Sequence, residues 1–251
     1  MAFYKSKNPA LGVDTFKKVP GLLDSSQGMT IQGTVNKTGL LGLIVLVASL
    51  FTWNLYQSSQ DFAIIQPYVI GGSILGLIVA LVIIFKKTLA PYLAPIYCGL
   101  EGLALGGLSA YMEGVFPGIV LQAVLLTFGI LFGLLIIYRL KIIQATENFK
   151  LIVASATAGI AIVYLISFVG RFLGFEIPYI HDNSLGGIIF SLVVVVIAAL
   201  NLVIDFDFIE QGAETNAPKY MEWYGAFGLM VTLIWLYLEI LRLLAKLRSR
   251  K

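Results

Sequence analysis

The chain has 251 residues, of which 59% are hydrophobic and 12% are charged, with a formal net charge of +3 at pH 7. Its mean hydropathy of +0.91 excludes an ordinary soluble domain and indicates a polytopic membrane protein, with the lipid bilayer as its expected surroundings. The basic residues cluster at the ends of apolar segments rather than along a stripe, which excludes a nucleic-acid partner.

The first segment, residues 1–36, is polar and is predicted to be a cytoplasmic N-terminal arm. It contains no short apolar core followed by a small-residue cleavage site, as a secretory signal would. We therefore expect the first spanning helix to act as the targeting signal. The lysines of the arm are Lys5, Lys7, Lys17 and Lys18.

Seven apolar runs follow, each about 20 residues long, which is enough to cross a hydrocarbon core of about 30 Å. They predict an all-α polytopic membrane protein with a seven-helix transmembrane domain over residues 37–245 and a basic tail over residues 246–251. The predicted spans are Thr38–Tyr56, Gln66–Phe85, Leu89–Tyr111, Gly118–Tyr138, Lys150–Gly170, Leu185–Phe208 and Tyr220–Leu244.

The connections between the spans predict the orientation. Two connections carry lysine and arginine, at Lys86-Lys87 and from Arg139 to Lys150, whereas Gln57–Ile65 and Glu113–Pro117 carry neither. The positive-inside rule then places the N-terminus in the cytoplasm. Seven crossings leave the basic tail outside, against the same rule. Either the bundle holds the last segment in place or that segment is re-entrant, and its length favours a full span.

The third segment is rich in glycine, and Gly102-x-x-x-Gly106 is a spacing that lets helix backbones approach closely. Packing is the simpler interpretation and a hinge is the alternative. Glu101 lies beside these glycines, either as a hydrogen-bonded structural carboxyl group or as part of an ion pathway. Cys98, the single cysteine, is expected to be a small core residue.

No pattern indicates catalysis, so we predict that the chain is not an enzyme and needs no cofactor. His181 is the single histidine, is expected in an outer loop, and cannot form an H-E-x-x-H zinc site. No helix-borne histidine could activate Ser109, Ser155 or Ser191, and no Gly-x-Gly-Asp motif or glycine-rich phosphate loop is present.

The sixth span ends in acidic residues, which are costly in a membrane and therefore indicate a functional site. Asn201 and Asp205 share one helix face because they are four residues apart. We expect Asp205 near the inner end of the helix, reachable by water, with Asn201 able to hydrogen-bond it. Asp205 and Asp207 are the acids expected in the membrane. The acids that follow are expected to be solvated in a loop: Glu210, Glu214 and Glu222.

The last span contains Glu239 and Arg242, three residues apart and therefore neighbours on one helix face. They are predicted to form an ion pair within the helix, near the outer membrane boundary.

Several motifs together resemble a known family. The sixth span ends at Ile204-Asp205, the last ends in Leu241-Arg242-Leu243-Leu244, and Trp235-Leu-Tyr-Leu-Glu239 precedes that ending. With Asn8-Pro9-Ala10-Leu11 and Ala217-Pro-Lys-Tyr-Met-Glu-Trp-Tyr224, the chain resembles the divergent bacterial branch of the Bax inhibitor-1 (transmembrane Bax inhibitor motif) family.

The resemblance implies a bundle with the last helix central, surrounded by the other six, in the bacterial cytoplasmic (inner) membrane. It also implies a pH-sensitive calcium leak channel in which two aspartates govern closure. The first aspartate maps onto Asp205, without the flanking Tyr and Thr of the family motif. The second position falls on Thr232, so Glu101 or Glu239 would have to supply the second carboxylate.

Three functions remain open at this point. In a leak channel, two neighbouring carboxylates would share a proton, and protonation would set the gate. When ionised, Asp205 and Asp207 would be candidate ligands for a transiently bound calcium ion. The main alternative is a non-transporting membrane regulator that binds membrane proteases or other membrane proteins. A secondary transporter is favoured least, because no pair of matching broken helices is evident.

Overall fold

The computed structural model describes residues 28–174 and 182–250. These residues form seven long helices, all of them long and apolar enough to cross a membrane, which confirms the predicted fold class. The N-terminal arm up to residue 27, His181 and Lys251 lie outside the described residues. The helices are α1 (Ile31–Ser59), α2 (Phe62–Phe85), α3 (Ala90–Val115), α4 (Ile119–Arg139), α5 (Glu147–Leu173), α6 (Leu185–Glu214) and α7 (Met221–Ser249).

Side-chain caps define where several helices begin. The hydroxyl of Thr30 accepts a hydrogen bond from the Gly33 amide at the start of α1, and Ser184 accepts one from Gly187 at the start of α6. Such caps satisfy backbone amides that have no partner within the helix. α1 therefore begins at Ile31, inside the segment predicted as an arm.

α7 is the central helix of the bundle, together with α3. In each of these two helices 56% of the apolar, membrane-spanning stretch is buried inside the protein, against 11–17% in α1, α2, α4 and α5. α7 packs directly against α1, α3, α4 and α6, whereas α2 lies against α3 and α1, and α5 lies against α6. The central position of the last helix follows the expectation, with α2 and α5 in outer positions.

The glycines of α3 allow close contact with α1. A Cβ atom at Gly102 would lie 2.6 Å from the Val45 carbonyl oxygen, and one at Gly106 would lie 2.1 Å from that of Ser49. α3 is continuous through both positions, which supports the packing interpretation. Cys98 is fully buried in the same helix, as expected.

The two ends of the bundle are named here by the chain segments that leave them. At the arm end, α1 and α7 begin side by side, because the Met29 amide donates a 2.6 Å hydrogen bond to the Ala217 carbonyl. α6 also finishes at the arm end, after Glu214. At the tail end, α7 finishes and α6 begins. α7 is one unbroken helix, so the full span is supported and the re-entrant alternative is not.

The basic C-terminal end of α7 is held by the protein itself. Lys246 is buried, and its Nζ donates a 3.0 Å hydrogen bond to the Gly187 carbonyl at the start of α6. Arg248 donates to the Pro117 carbonyl at 2.5 Å and to the Gln122 side chain at 2.9 Å. These contacts provide the physical means by which a basic segment can be kept at the tail end.

Candidate functional site between α6 and α7

Asp205 lies well inside α6 rather than at its end. The acidic residues that follow continue the helix to Glu214, so Asp205 lies about two and a half turns, or roughly 14 Å, before the end of α6. Its Oδ2 atom is buried. The prediction that Asp205 lies at a helix end is therefore wrong, because the acidic run after it was expected to form a loop and instead continues the helix.

The Asp205 carboxyl group faces α7 at Gly228 and Thr232. A Cβ atom at Gly228 would lie 3.9 Å from Oδ1, and Thr232 is the neighbouring polar side chain, with its hydroxyl donating to the Gly228 carbonyl at 3.3 Å. Oδ2 has no hydrogen-bond partner in the part of the chain that the structure describes. A buried carboxyl oxygen without a donor or a cation is tolerated far better when the group is neutral.

Thr232 is the position that the resemblance assigned to the family's second aspartate. The structure brings it to Asp205 although the two residues belong to different helices. A buried hydroxyl, 8% exposed, thus occupies the place of the second carboxyl group. Among the described residues, the contact contains one carboxyl group where two were expected, so a proton cannot be shared between two acids at this point.

Glu101 lies at a different interface. Its carboxyl group packs against Gly76 of α2, where a Cβ atom would come within 2.6 Å of Oε1. No described residue makes a hydrogen bond with the Glu101 carboxyl group. The structure therefore does not show the hydrogen bond that a structural role for this carboxyl group would need. The structure does not bring Glu101 to Asp205.

Glu239 belongs to a different cluster of polar side chains, nearer the tail end. It is 2% exposed, and Nη1 of Arg242 donates to its two carboxylate oxygens at 2.9 and 3.0 Å. The predicted ion pair is therefore present. Tyr164 of α5, which the sequence did not single out, donates its hydroxyl to Glu239 at 3.1 Å and accepts from Arg242 at 2.6 Å. The guanidinium group also lies 5.0 Å from the centre of the tyrosine ring.

Asn201 and Asp207 face α5 rather than α7. The Asn201 amide nitrogen donates to the Thr157 hydroxyl at 2.8 Å, and Lys150 forms a 2.7 Å ion pair with Asp207. Asp205 and Asp207 are two residues apart and therefore point about 200° apart around the helix. They do not converge on one ion. The described residues contain no group of three or more His, Cys, Asp or Glu side chains that could hold a metal ion.

A polar seam therefore attaches α5 to the rest of the bundle. Its members, Lys150, Thr157 and Tyr164, are seven residues apart and lie on one helix face. Each makes a polar contact with α6 or α7. α5 is otherwise largely exposed, with side chains such as Leu151 and Leu165 on its outer face. This helix is held through fewer buried apolar contacts than α3 or α7.

The burial of one acid, Glu222, was missed by the sequence analysis. Glu222 is 0% exposed, so the prediction that it is solvated is wrong. It accepts hydrogen bonds from the Thr30 amide at 2.9 Å and the Thr30 hydroxyl at 2.8 Å, and it pairs with Lys37 and Lys219. A Cβ atom at Gly33 would collide with this carboxylate. The sequence did contain a signal for this ion pair, because Lys37 lies near the start of the first apolar run and Glu222 near the start of the last.

Two cavities open at opposite ends of the bundle. The arm-end cavity, of about 460 Å³, is lined by Tyr138, Arg139, Lys141, Ile143, Gln144, Ala145, Asp207 and Glu210. The tail-end cavity, of about 440 Å³, is lined by Leu108, Met112, Phe116, Asn183, Leu238, Leu241, Arg242, Ala245, Lys246 and Ser249. Asp205 and Thr232 lie between these levels along α6 and α7 and line neither cavity.

One comparison with known proteins identifies a family. Residues 5–249 match the sequence model of the family described as Bax inhibitor 1 like. No match was found among curated proteins or among solved structures. Because the match covers nearly the whole chain, including all seven described helices, the chain belongs to the Bax inhibitor-1-like family.

Proposed function

We propose that this protein is a pH-gated leak pathway for small cations, including calcium, with its gate at the contact of Asp205 with Gly228 and Thr232. The observation that carries the proposal is the buried Oδ2 atom of Asp205, which has no hydrogen-bond partner among the described residues. Along α6 and α7 this contact lies between the level of the arm-end cavity and that of the tail-end cavity.

The direction of gating follows from the surroundings of the carboxyl group. When neutral, Asp205 can pack against Gly228 and hydrogen-bond Thr232, which keeps α6 and α7 together. An ionised carboxylate at this depth costs about 2.5 kcal/mol or more without a counter-charge. Ionisation therefore favours an arrangement in which water or a cation reaches Asp205. We expect the leak to be low under acidic conditions and to increase as the pH rises.

The arm-end cavity offers ligands for a cation, with Arg139 and Lys141 in its lining balancing the charge of two acids. Asp207 and Glu210 contribute carboxylate oxygens to its lining, which are ligands that suit a hard cation. Lys150 pairs with Asp207, and the Tyr138 hydroxyl donates to Glu210. These partners would keep cation binding weak, and weak binding permits conduction.

Calcium flux into dye-loaded liposomes containing the purified protein tests this function. We expect flux in the wild type that increases from mildly acidic to alkaline pH. Asp205→Asn keeps the volume of the side chain and removes ionisation, so flux should stay low and independent of pH. Glu214→Gln is the matched control, because Glu214 is exposed at the end of the same helix, does not line the arm-end cavity and should leave the pH profile in place. Flux equal to that of empty liposomes at every pH would rule out the leak pathway.

The alternative function is a membrane regulator that does not conduct ions. One observation favours it: the two charged residues that line the tail-end cavity, Arg242 and Lys246, are both cationic and would repel an entering cation. A regulator would be recovered together with a membrane-protein partner after mild crosslinking, and its liposomes would show no flux.

We also propose a bacterial cytoplasmic membrane location with the arm end in the cytoplasm. The connections from α2 to α3 and from α4 to α5 reach the arm end with Lys86, Lys87, Arg139 and Lys141. The contacts of Lys246 and Arg248 described above would keep the basic tail on the other side.

A further inference from the structure

The tail-end cavity has the form of an amphiphile site. Its α7 residues follow one helix face, from Leu238 through Arg242 and Lys246 to Ser249. Its α3 residues, among them Leu108, add apolar surface opposite that face. Apolar side chains make up most of the lining, and the charged members of the described lining are both cations.

The guanidinium group of Arg242 has one edge, formed by Nη2 and Nε, that can still donate hydrogen bonds. Nη1 is engaged by Glu239 and Tyr164, and the ring of Tyr164 lies against the group. Nη2 and Nε have no hydrogen-bond partner among the described residues, and Arg242 lines the cavity. Two adjacent guanidinium N–H groups match the spacing of two oxygens of a phosphate. Because Glu239 and Tyr164 already hold the side chain, little rotamer freedom remains to be lost on binding.

Lys246 contributes a second cation, although a less available one. Its Nζ donates to the Gly187 carbonyl, and Asp182 lies close enough to interact with it. Asp182 and Glu239 do not line the cavity. Arg242 is therefore the residue on which an anion would be held, and Lys246 adds positive charge beside it.

The depth of the cavity favours a lipid over a soluble anion. α7 has 29 residues and is about 43 Å long, longer than a hydrocarbon core of about 30 Å. Arg242 lies roughly 10 Å from the C-terminal end of the helix, so its backbone lies about 4 Å inside the edge of a hydrocarbon core centred on α7. A cationic side chain so near that edge can attract a lipid phosphate by local thinning of the bilayer. Leu238 and Leu108 lie deeper, where an acyl chain would contact them. A soluble anion would gain nothing from the apolar part of this lining.

We propose that the tail-end cavity binds one anionic phospholipid, with its phosphate on Nη2 and Nε of Arg242 and one acyl chain against Leu108, Met112 and Leu238. The inference is independent of ion conduction and of the Asp205 gate.

Native mass spectrometry of the detergent-purified full chain tests the proposal. The probe is an equimolar mixture of phosphatidylglycerol and phosphatidylcholine with identical acyl chains. We expect the wild type to retain phosphatidylglycerol with a preference of about tenfold, or about 1.4 kcal/mol, because both lipids carry a phosphate but only phosphatidylcholine carries a quaternary ammonium group, which the cations of the cavity would repel. Arg242→Gln should remove that preference. Arg248→Gln is the matched control, because Arg248 lies on the same helix end, bonds Pro117 and Gln122, and does not line the cavity.

A second variant covers the case in which Arg242→Gln fails to fold after leaving Glu239 unpaired. Ala245→Phe places a ring in the cavity and leaves Glu239, Arg242 and Tyr164 in place, so binding of both lipids should fall. Equal retention of the two lipids by the wild type would overturn the proposal, as would a preference that persists in Ala245→Phe. Displacement of phosphatidylglycerol by millimolar inorganic phosphate would also overturn it, because the site would then be one for a free anion.

Discussion

Replacing Glu222 by Gln is expected to destabilise the arm end of the bundle. The substitution keeps the volume of the side chain and an oxygen that can accept from Thr30, but it removes the negative charge between Lys37 and Lys219. Leaving Lys37 without its partner costs more free energy than leaving Lys219 without it. The Lys37 side chain is 19% exposed, whereas that of Lys219 is 53% exposed and can be solvated. Breaking a buried ion pair from one side costs about 3–5 kcal/mol. Because Lys37 keeps some contact with water, we expect the lower limit, about 3 kcal/mol.

The single cysteine provides the assay. Cys98 is fully buried in α3, so a maleimide dye that fluoresces on reaction reports its exposure during heating. A loss of about 3 kcal/mol corresponds to a fall in the melting midpoint of about 6–12 °C for a chain of this size. Glu147→Gln is the matched control, because its carboxylate is 73% exposed and lies 3.6 Å from Lys150. It should change the midpoint by less than about 2 °C.

The reasoning would be refuted by a Glu222→Gln variant that melts with the wild type. It would also be refuted if Glu147→Gln lowered the midpoint as much, since the effect would then come from general charge rather than from the buried pair. A double variant with Lys37→Met separates these effects further. If the unpaired lysine is the main cost, this second change should recover part of the loss.

Three further outcomes are expected. Gly106→Ala should lower the same melting midpoint strongly, because its Cβ would lie 2.1 Å from an α1 carbonyl oxygen, whereas Gly129→Ala, with nothing within 4 Å, should not; equal effects would contradict the packing argument. Tyr164→Phe should cost about 1.5–3 kcal/mol by removing the hydroxyl that joins α5 to the ion pair on α7, and an unchanged midpoint would show that α5 is held otherwise. Arg250→Cys in a Cys98→Ser background should react with an impermeant thiol reagent from outside intact cells, and reaction only after permeabilisation would reverse the proposed orientation.

The sequence by itself determined the features that depend on local composition and spacing. Apolar runs of sufficient length predicted seven spans, because crossing the hydrocarbon core needs length and hydrophobicity alone. The contact between Glu239 and Arg242 followed from their positions one helical turn apart. Gly102 and Gly106 indicated a close helix contact for the same local reason.

The tertiary structure alone decided which residues from distant segments meet. Glu222 pairs with Lys37 across a separation of 185 residues, and Asp205 meets Thr232 rather than Glu101 or Glu239. The physical reason lies in the membrane. Lipid and protein core are both apolar, so hydrophobic periodicity does not reveal which face of a helix points inward. The rotation of each helix about its axis, and with it the partner of every buried polar group, depends on the packing of the whole bundle.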